Sequence, residues 1–170
     1  KRWDVVLDAF ARIRETHDAV LVLFGDGPER ARLEARAGRD VLFAGFSKDR
    51  SALAAALASA DLLVHGCPFE TFGLSIAEAL STGLPAIVPD EGGAAEMVSE
   101  GAKGAARFES LPAGARYRAR DAGALAAAVT DALARLVRAP ESMRASAAAS
   151  VAHLPTVEGQ FEGQIALYRA

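Results

Sequence analysis

The sequence predicts an α/β domain built on a doubly wound parallel sheet. Short runs that are apolar at every position cover residues 19–24, 41–44, 62–64 and 85–88. Each run ends near a glycine or proline and alternates with stretches that have the apolar spacing of a helix. Uninterrupted apolar runs are typical of strands buried on both faces of a parallel sheet, and the alternation predicts β-α repeats.

Helical patterns fill the intervals between these runs. The first helix is predicted to bury one face, which consists of Val5, Val6, Ala9, Phe10 and Ile13. Further helices are predicted over residues 29–37, 50–60, 74–82 and 94–99. A doubly wound domain ordinarily opens with a strand, whereas this chain opens with a helix. We therefore expect the first strand to be missing from the chain.

The C-terminal part carries a weak strand signal and clear helix signals. Residues 104–108 predict a last strand, and Asp121 is a suitable N-cap for an amphipathic helix. The buried face of that helix is predicted to contain Leu125, Val129, Leu133, Leu136 and Val137. Further helices are expected from Pro140 and, after Pro155, over residues 157–168. We predict one domain over residues 1–170, with C-terminal helices from about residue 121.

Composition and charge exclude several classes of protein. The 170 residues are 51% hydrophobic and 24% charged, which indicates a globular domain rather than a disordered chain. The net charge is −3, without the basic excess of a duplex nucleic-acid binder. One cysteine and three histidines argue against a disulfide or a structural zinc site and favour the cytoplasm. We expect no transmembrane segment, since no apolar run approaches ~20 residues. We also expect no signal peptide, since Asp8, Arg12 and Arg14 interrupt the first apolar positions.

The most specific stretch, residues 69–80, follows a predicted strand and opens a helix. Ligands of open α/β sheets bind at the carboxyl ends of strands, and a helix N-terminus offers free N–H groups to a phosphate. Gly73, without a side chain, allows the backbone to approach an anion. Glu70 and Glu78 are placed to bracket a ligand from opposite ends, and carboxylates accept hydrogen bonds from sugar hydroxyls.

Both carboxylates also have a purely structural interpretation. Residues Ser75 to Glu78 fit a capping box, in which Glu78 only completes the helix start. Glu70 fits a loop carboxylate near a helix dipole equally well. We interpret His65, at the end of the third predicted strand, as a loop histidine with satisfied hydrogen bonds in preference to a substrate contact. Cys67 is interpreted as a buried packing residue.

Residues 69–80 resemble the signature of family-four retaining glycosyltransferases, which have the two-Rossmann-domain GT-B architecture. That signature has two Glu separated by seven residues, with Phe-Gly after the first and Glu-Ala around the second. Glu70, Phe72-Gly73 and Glu78-Ala79 match it in register. Further turns and strands resemble the family in the same order, at residues 25–28, 41–45, 60–61, 82–85 and 92–96. The resemblance thus covers most of the chain.

The resemblance implies that the chain is the donor-binding half of a GT-B enzyme. Glu70 would lie beside the donor sugar, and Glu78 would hold the nucleotide ribose. Lys1 would neutralise the donor diphosphate, although Arg2 replaces the glycine of the family and a first residue can equally fray. The other implied donor contacts are the backbone of Thr71, Phe72 and Gly73 for the sugar, the amides of Leu74 and Ser75 for the pyrophosphate, Phe46 and Ser47 after Gly45 for the base, and the turn of Gly25, Asp26 and Gly27. Phe46 can also be read as an ordinary exposed loop aromatic.

The activity implied is transfer of a hexose from a nucleoside diphosphate sugar, with retention, in glycan, glycolipid or polysaccharide synthesis. No donor-side acid or base is required if the leaving phosphate takes the proton of the acceptor. No Asp-x-Asp motif is present, so we expect neither a diphosphate-bound metal nor another cofactor. The acceptor would bind a missing N-terminal domain, through which the enzyme could associate with a membrane. We expect the chain alone to bind nucleotide weakly and to turn nothing over.

Other functions fit the same architecture. A nucleotide-sugar epimerase or phosphorylase half is the first alternative, and an assay of released nucleotide against epimerised sugar separates it from a transferase. A non-catalytic nucleotide-binding module is the second, and its function would be indifferent to Glu70→Ala. A dinucleotide oxidoreductase is disfavoured, because the turn at residues 25–27 lacks the third glycine of that fingerprint.

Overall fold

The computed structural model describes residues 1–98, 108–152 and 154. In chain order the elements are α1 (Trp3–Arg14), β1 (Leu21–Phe24), α2 (Arg30–Glu34), β2 (Val41–Gly45), α3 (Arg50–Ser59), β3 (Leu63–Val64), α4 (Leu74–Ser81), β4 (Ala86–Pro89), α5 (Gly93–Met97), β5 (Phe108–Leu111), β6 (Gly114–Tyr117), α6 (Ala122–Arg138) and α7 (Pro140–Ser150). The helix predicted over residues 157–168 and residues 104–107 of the predicted last strand lie outside the described residues.

The strands form two sheets instead of one continuous sheet. β1 and β2 are a parallel pair, and the second sheet has the order β3-β4-β6-β5. β3, β4 and β6 run parallel, which confirms the predicted α/β class, whereas β5 is antiparallel to β6. Among the described residues, β1 and β3 each have one unpaired edge. These are the two edges that the first strand of a 3-2-1-4-5-6 order would join.

The hairpin of β5 and β6 is an element that the sequence analysis missed. Every residue of β6 is buried, although Arg116 lies in its middle. The Arg116 guanidinium is hydrogen-bonded to the Glu109 carboxylate of β5, which offsets the cost of burying its charge. A charge within a four-residue strand removes the uninterrupted apolar pattern, so no signal for β6 was present in the sequence.

Helix α1 packs against both sheets and connects their cores. Its predicted face is confirmed, since Val5, Val6, Ala9, Phe10 and Ile13 are all buried. Part of this face packs with Ile87, Tyr117 and α6, and the remainder, with Leu7, packs against Leu23 and Val41 of the first sheet. Each fully buried side chain of this size contributes roughly 1.5–3 kcal/mol of transfer free energy. The helix therefore holds the two sheets in one body.

The prediction that all strands are buried on both faces is wrong for the first sheet. The side chains of Val20, Val22 and Leu42 are 61, 44 and 54% exposed, whereas β4 and β6 are buried throughout. The reason is that α1 and α2 contribute Phe10 and Leu33 to one face of the β1–β2 pair. An uninterrupted apolar run thus did not require burial on both faces here.

Helix α6 confirms the predicted N-cap and most of the predicted buried face. The Asp121 carboxylate accepts a hydrogen bond from the Ala124 N–H at 2.8 Å. Leu125, Val129 and Leu136 are buried, but Val137 is 86% exposed, so its predicted burial is wrong. Successive helix residues point about 100° apart, which turns Val137 away from the stripe that contains Leu136. α7 begins at Pro140 as predicted.

Candidate functional site

The candidate site is the turn between β3 and α4, which leaves the carboxyl end of the second sheet. Gly73 is the N-cap of α4 with φ 77°, and a Cβ there would lie 3.0 Å from the Ile76 Cδ1. This left-handed conformation favours glycine, which explains the Phe-Gly start of the helix. Phe72 and Leu74, on either side, are 50 and 68% exposed. The start of α4 is therefore open to a ligand, and its first-turn N–H groups suit an anion.

Glu78 is a partly exposed carboxylate on α4 and is not part of a capping box. Because the helix begins at Leu74, the interpretation of Ser75 and Glu78 as a capping box is wrong. The Arg50 Nη2 donates to the Glu78 Oε1 at 3.2 Å, and the Glu78 side chain is 45% exposed. Such an exposed ion pair is held weakly, so Glu78 is available to another hydrogen-bond donor.

Glu70 lies at the other side of the helix start and is much more enclosed, with 18% of its side chain exposed. The Lys1 Nζ donates to the Glu70 Oε2 at 2.9 Å, and the Gly73 N–H is a further hydrogen-bond partner. The hydrogen bond from Lys1 lowers the pKa of Glu70 more than burial raises it. Glu70 is thus an anion at neutral pH, and the structure pairs it with Lys1, a contact that the sequence did not predict.

The loop that contains Gly92 and Gly93 supports Glu70 from behind. The Gly93 N–H donates to the Glu70 carbonyl at 2.7 Å. A Cβ at Gly93 would lie 2.1 Å from the Thr71 carbonyl oxygen, and one at Gly92 would lie 2.5 Å from that of Pro68. Only glycine permits this approach, since the obstructing atoms belong to the backbone. Gly92 and Gly93 therefore fix the position of the loop that carries Glu70.

A cavity of about 700 Å³ lies between α3 and the part of α4 that begins at Glu78. Its lining brings together Phe46 and Ser47, which follow β2, and Glu78 of α4, as the predicted base and ribose contacts require. Lys48 and Arg50 add positive charge, and the Phe46 ring is 74% exposed. Glu70 is not part of this lining. Glu70 thus precedes α4 and Glu78 lies just over one turn into it, and the two carboxylates do not line one cavity.

The turn of Gly25, Asp26 and Gly27 follows β1 at the carboxyl end of the first sheet, where Phe46 follows β2. The turn does not line the cavity of Phe46 and Glu78. The Gly25 N–H donates to the Gly45 carbonyl at 2.7 Å, which joins the turns after β1 and β2. The Asp26 Oδ1 accepts from the Gly27 N–H at 2.7 Å, and the Oδ2 lies 3.7 Å from the Arg30 Nη1. The Asp26 carboxylate thus serves to close its own turn.

His65 is the residue whose environment the sequence analysis misjudged. It is buried, yet its Nε2 makes no hydrogen bond with any residue of the described chain, so the satisfied-histidine interpretation is wrong. Its carbonyl accepts a hydrogen bond at 3.0 Å from the hydroxyl of Tyr117, whose pKa is raised by burial. Because Tyr117 belongs to the missed strand β6, no sequence signal connected it with the site. Cys67 is half-buried rather than buried.

Within residues 1–98, 108–152 and 154, no group of three His, Cys, Asp or Glu side chains is arranged to hold a metal ion. In the same part of the chain, no helix combines the length and apolar character needed to span a bilayer.

Curated relatives of the chain are glycosyltransferases. Over 101 residues it is 44% identical to a GDP-mannose-dependent α-(1-6)-phosphatidylinositol dimannoside mannosyltransferase of Mycobacterium tuberculosis, a match that covers 58% of this chain and 26% of the relative. It is 37% identical over 116 residues to a GDP-mannose-dependent α-mannosyltransferase of Corynebacterium glutamicum, covering 65 and 28%. The matched part thus spans about a quarter of the length of these relatives.

Solved structures share the fold. Sucrose-phosphate synthase of Thermosynechococcus elongatus has a TM-score of 0.75 at 26% identity, covering 96% of this chain and 41% of the synthase. A glycosyltransferase of Rickettsia africae has a TM-score of 0.76 at 16% identity, covering 97 and 43%. Residues 1–135 match the sequence model of the family described as "Glycosyl transferases group 1". The resemblance noted in the sequence is therefore confirmed, and the chain belongs to the group 1 glycosyl transferases, of the GT-B type.

Proposed function

We propose that this chain is the donor-binding half of a retaining hexosyltransferase that uses a nucleoside diphosphate sugar. The observation that carries the proposal is the start of α4, which is open to solvent between the enclosed Glu70 and the cavity that Glu78 and Phe46 line. A helix start binds a diphosphate, and a carboxylate at each end binds the hydroxyls of the two sugars that flank the diphosphate.

The donor lies across the start of α4, with its base on the side of Phe46 and its hexose on the side of Glu70. Its base occupies the cavity against the ring of Phe46, and the ribose hydroxyls donate to Glu78, which exchanges its exposed partner Arg50 for them. The diphosphate lies on the N–H groups of Leu74 and Ser75. The hexose then lies beside Glu70, where Lys1 is within reach of the phosphate.

The reaction breaks the bond between the anomeric carbon and the β-phosphate oxygen. Negative charge grows on that oxygen, and the partial positive charge of the α4 start and the ammonium of Lys1 stabilise it. The acceptor hydroxyl attacks the anomeric carbon on the face that the phosphate leaves, and its proton passes to the departing phosphate. The new bond therefore has the configuration of the old one, and no protein nucleophile is used.

GDP-mannose is the donor that we propose first. Curated relatives from Mycobacterium tuberculosis, Corynebacterium glutamicum and Mycolicibacterium smegmatis bear names that specify GDP-mannose and a mannosyltransferase activity. The acceptor binds a separate N-terminal domain, so this chain alone binds the donor without turning it over.

A panel of GDP, UDP, ADP and their sugars in a thermal-shift assay tests the proposal, since a ligand of the native state raises its midpoint. GDP-mannose is expected to stabilise the chain, and Glu78→Gln to weaken its binding about tenfold, the worth of a hydrogen bond to a charged group. Glu141→Gln, at an exposed residue of α7, is the matched control and leaves binding unchanged. Failure of every nucleotide to stabilise the chain would refute donor binding.

A further inference from the structure

Two nitrogen atoms face the same carboxylate oxygen of Glu70. The Lys1 Nζ lies 2.9 Å from the Oε2, within hydrogen-bond distance, and the His65 Nε2 lies 3.7 Å from it, which is too far for a hydrogen bond. The Lys1 side chain is 56% exposed, whereas only 9% of the His65 side chain is exposed. Glu70 thus has one partner on a flexible, solvated side chain and a second, unused partner that is fixed in the protein.

The structure holds His65 in place from several directions. Its N–H donates to the Ile87 carbonyl at 2.9 Å, and its carbonyl accepts from the fully buried Tyr117 hydroxyl. The next residue, Gly66, has no room for a side chain, because a Cβ would lie 2.8 Å from the Lys1 carbonyl oxygen. These contacts fix the backbone at His65, and the imidazole is enclosed, whereas the Lys1 side chain is largely exposed. The group that can leave Glu70 is therefore the ammonium of Lys1.

The unused nitrogen lacks any other partner in the part of the chain that the structure describes. A buried polar atom without a hydrogen bond costs free energy, so such atoms commonly have a use in another state of the protein. Hydrogen-bond distance to the Glu70 Oε2 requires a movement of well under 1 Å, from 3.7 Å to about 3 Å. A small rotation of the Glu70 side chain is sufficient for this.

The charges around His65 oppose this hydrogen bond while Lys1 is in place. Burial lowers the pKa of His65 most, and the Lys1 ammonium lowers it further. The Glu70 carboxylate and a backbone hydrogen bond at Cys67 act in the opposite direction, and the Tyr117 hydroxyl binds only the carbonyl. Movement of the Lys1 ammonium towards an anion leaves Glu70 as the dominant charge at the imidazole.

We propose that His65 is a positioning residue, which takes Glu70 over from Lys1 when a donor diphosphate draws the Lys1 ammonium away. The His65 Nε2 then takes one proton from solvent and donates it in a hydrogen bond to the Glu70 Oε2. Glu70 remains an anchored anion beside the hexose, although its former partner now binds the phosphate. This inference rests on the proposed function, because a donor is what moves Lys1.

Proton uptake on donor binding is the signature of this exchange. GDP-mannose is a suitable probe, since its phosphates are diesters that do not titrate near neutral pH. Calorimetric titration near pH 7, in buffers of different ionisation enthalpy, is expected to show uptake approaching about one proton per donor bound. His65→Gln, with an amide N–H near the position of Nε2, is expected to keep the affinity within about threefold and to abolish the uptake. His65→Leu is expected to weaken binding about tenfold.

Three outcomes distinguish the proposed donor binding from the exchange of Glu70 between Lys1 and His65. His17→Gln, at a half-buried histidine beyond the C-terminal end of α1, is the control and is expected to retain both affinity and uptake. Donor binding without proton uptake, or equal affinity of His65→Leu and the wild type, would overturn the exchange alone. A chain that binds no nucleotide sugar at all would overturn the proposed function and the exchange with it.

A measurement without donor tests the His65–Glu70 coupling separately. Lys1→Met removes the competing ammonium, so the His65 resonances in an NMR pH titration are expected to shift to a higher pKa than in the wild type. Adding Glu70→Gln to Lys1→Met is expected to reverse this shift. An unchanged titration in Lys1→Met would contradict the exchange whether or not a donor binds.

Discussion

Glu70 connects three separate parts of the chain through single contacts. Its carboxylate binds Lys1 at the start of α1, its carbonyl binds the Gly93 N–H at the start of α5, and its Oε2 faces His65 at the end of β3. The motif predicted from the sequence identifies Glu70 but none of these three contacts, because two of them join residues far apart in the chain and the third depends on how the turn between His65 and Glu70 folds. The position of His65 at the end of a predicted strand was apparent in the sequence, but its unpartnered nitrogen was not, since that is a property of packing.

The ionisation of Glu70 predicts a pH dependence of stability. Its pKa is lowered from the ordinary value of 4.5, chiefly by Lys1, so it stabilises the fold above about pH 4.5. This contribution is lost as the pH falls through the lower pKa of the folded state. The free energy of unfolding of Glu70→Gln, measured with urea, is expected to fall short of the wild type at about pH 7 and to approach it at about pH 3. A deficit of the same size at both pH values would contradict the assignment.

Gly93 predicts a large effect from the addition of one methyl group. A Cβ there would overlap the Thr71 carbonyl at 2.1 Å, so Gly93→Ala must displace the loop that carries Glu70. We expect a loss of about 1–3 kcal/mol in the free energy of unfolding, together with weaker nucleotide binding. Gly38→Ala is the control, because no atom lies within 4 Å of its Cβ position. Equal stability of the two variants would show that the loop is free to move.

At the scale of the elements, the sequence predicted the helices better than the strands. α1 and α6 follow the predicted periodicity, since an amphipathic face of several turns repeats its signal, and α4 and α7 begin at the predicted residues. β6 has four residues and one buried charge, so its place depends on Glu109 and on the neighbouring β4 instead of on its own pattern. The start of α4 was also ambiguous in the sequence. Ser75 and Glu78 fit a capping box, and only the backbone conformation shows that Gly73 is the N-cap.

The N-cap of α6 predicts a stability effect remote from the site. The Asp121 carboxylate accepts from the Ala124 N–H, one of the groups that the first turn leaves without a partner. Asp121→Ala is expected to cost about 1 kcal/mol in the free energy of unfolding, and Asp121→Asn less. Thermal unfolding measures the difference, with Asp18→Ala, an exposed residue outside any helix, as the control. A loss no larger than that of Asp18→Ala would contradict the cap.

For the whole molecule, the arrangement of the sheets explains where the candidate site lies. β2 and β3 belong to different sheets, yet the turn after β2 and helix α4, which follows β3, line one cavity. The β-α alternation predicted this edge as the ligand edge, since ligands collect at the carboxyl ends of parallel strands. The alternation did not predict that β1 and β3 belong to separate sheets, because the residues of one strand do not indicate which distant strand it pairs with.

In the proposed complex, the donor diphosphate lies on the first turn of α4 and the base lies towards Phe46. A backbone amide NMR titration of the chain with GDP-mannose tests it most directly, since each amide reports on its own surroundings. We expect saturable shifts that are largest at Gly73, Leu74 and Ser75, followed by those of Phe46, Ser47 and Glu78. Shifts confined to residues of a second cavity, which Arg2, Glu29 and Arg32 line, with no change at the α4 amides, would contradict donor binding at the start of α4.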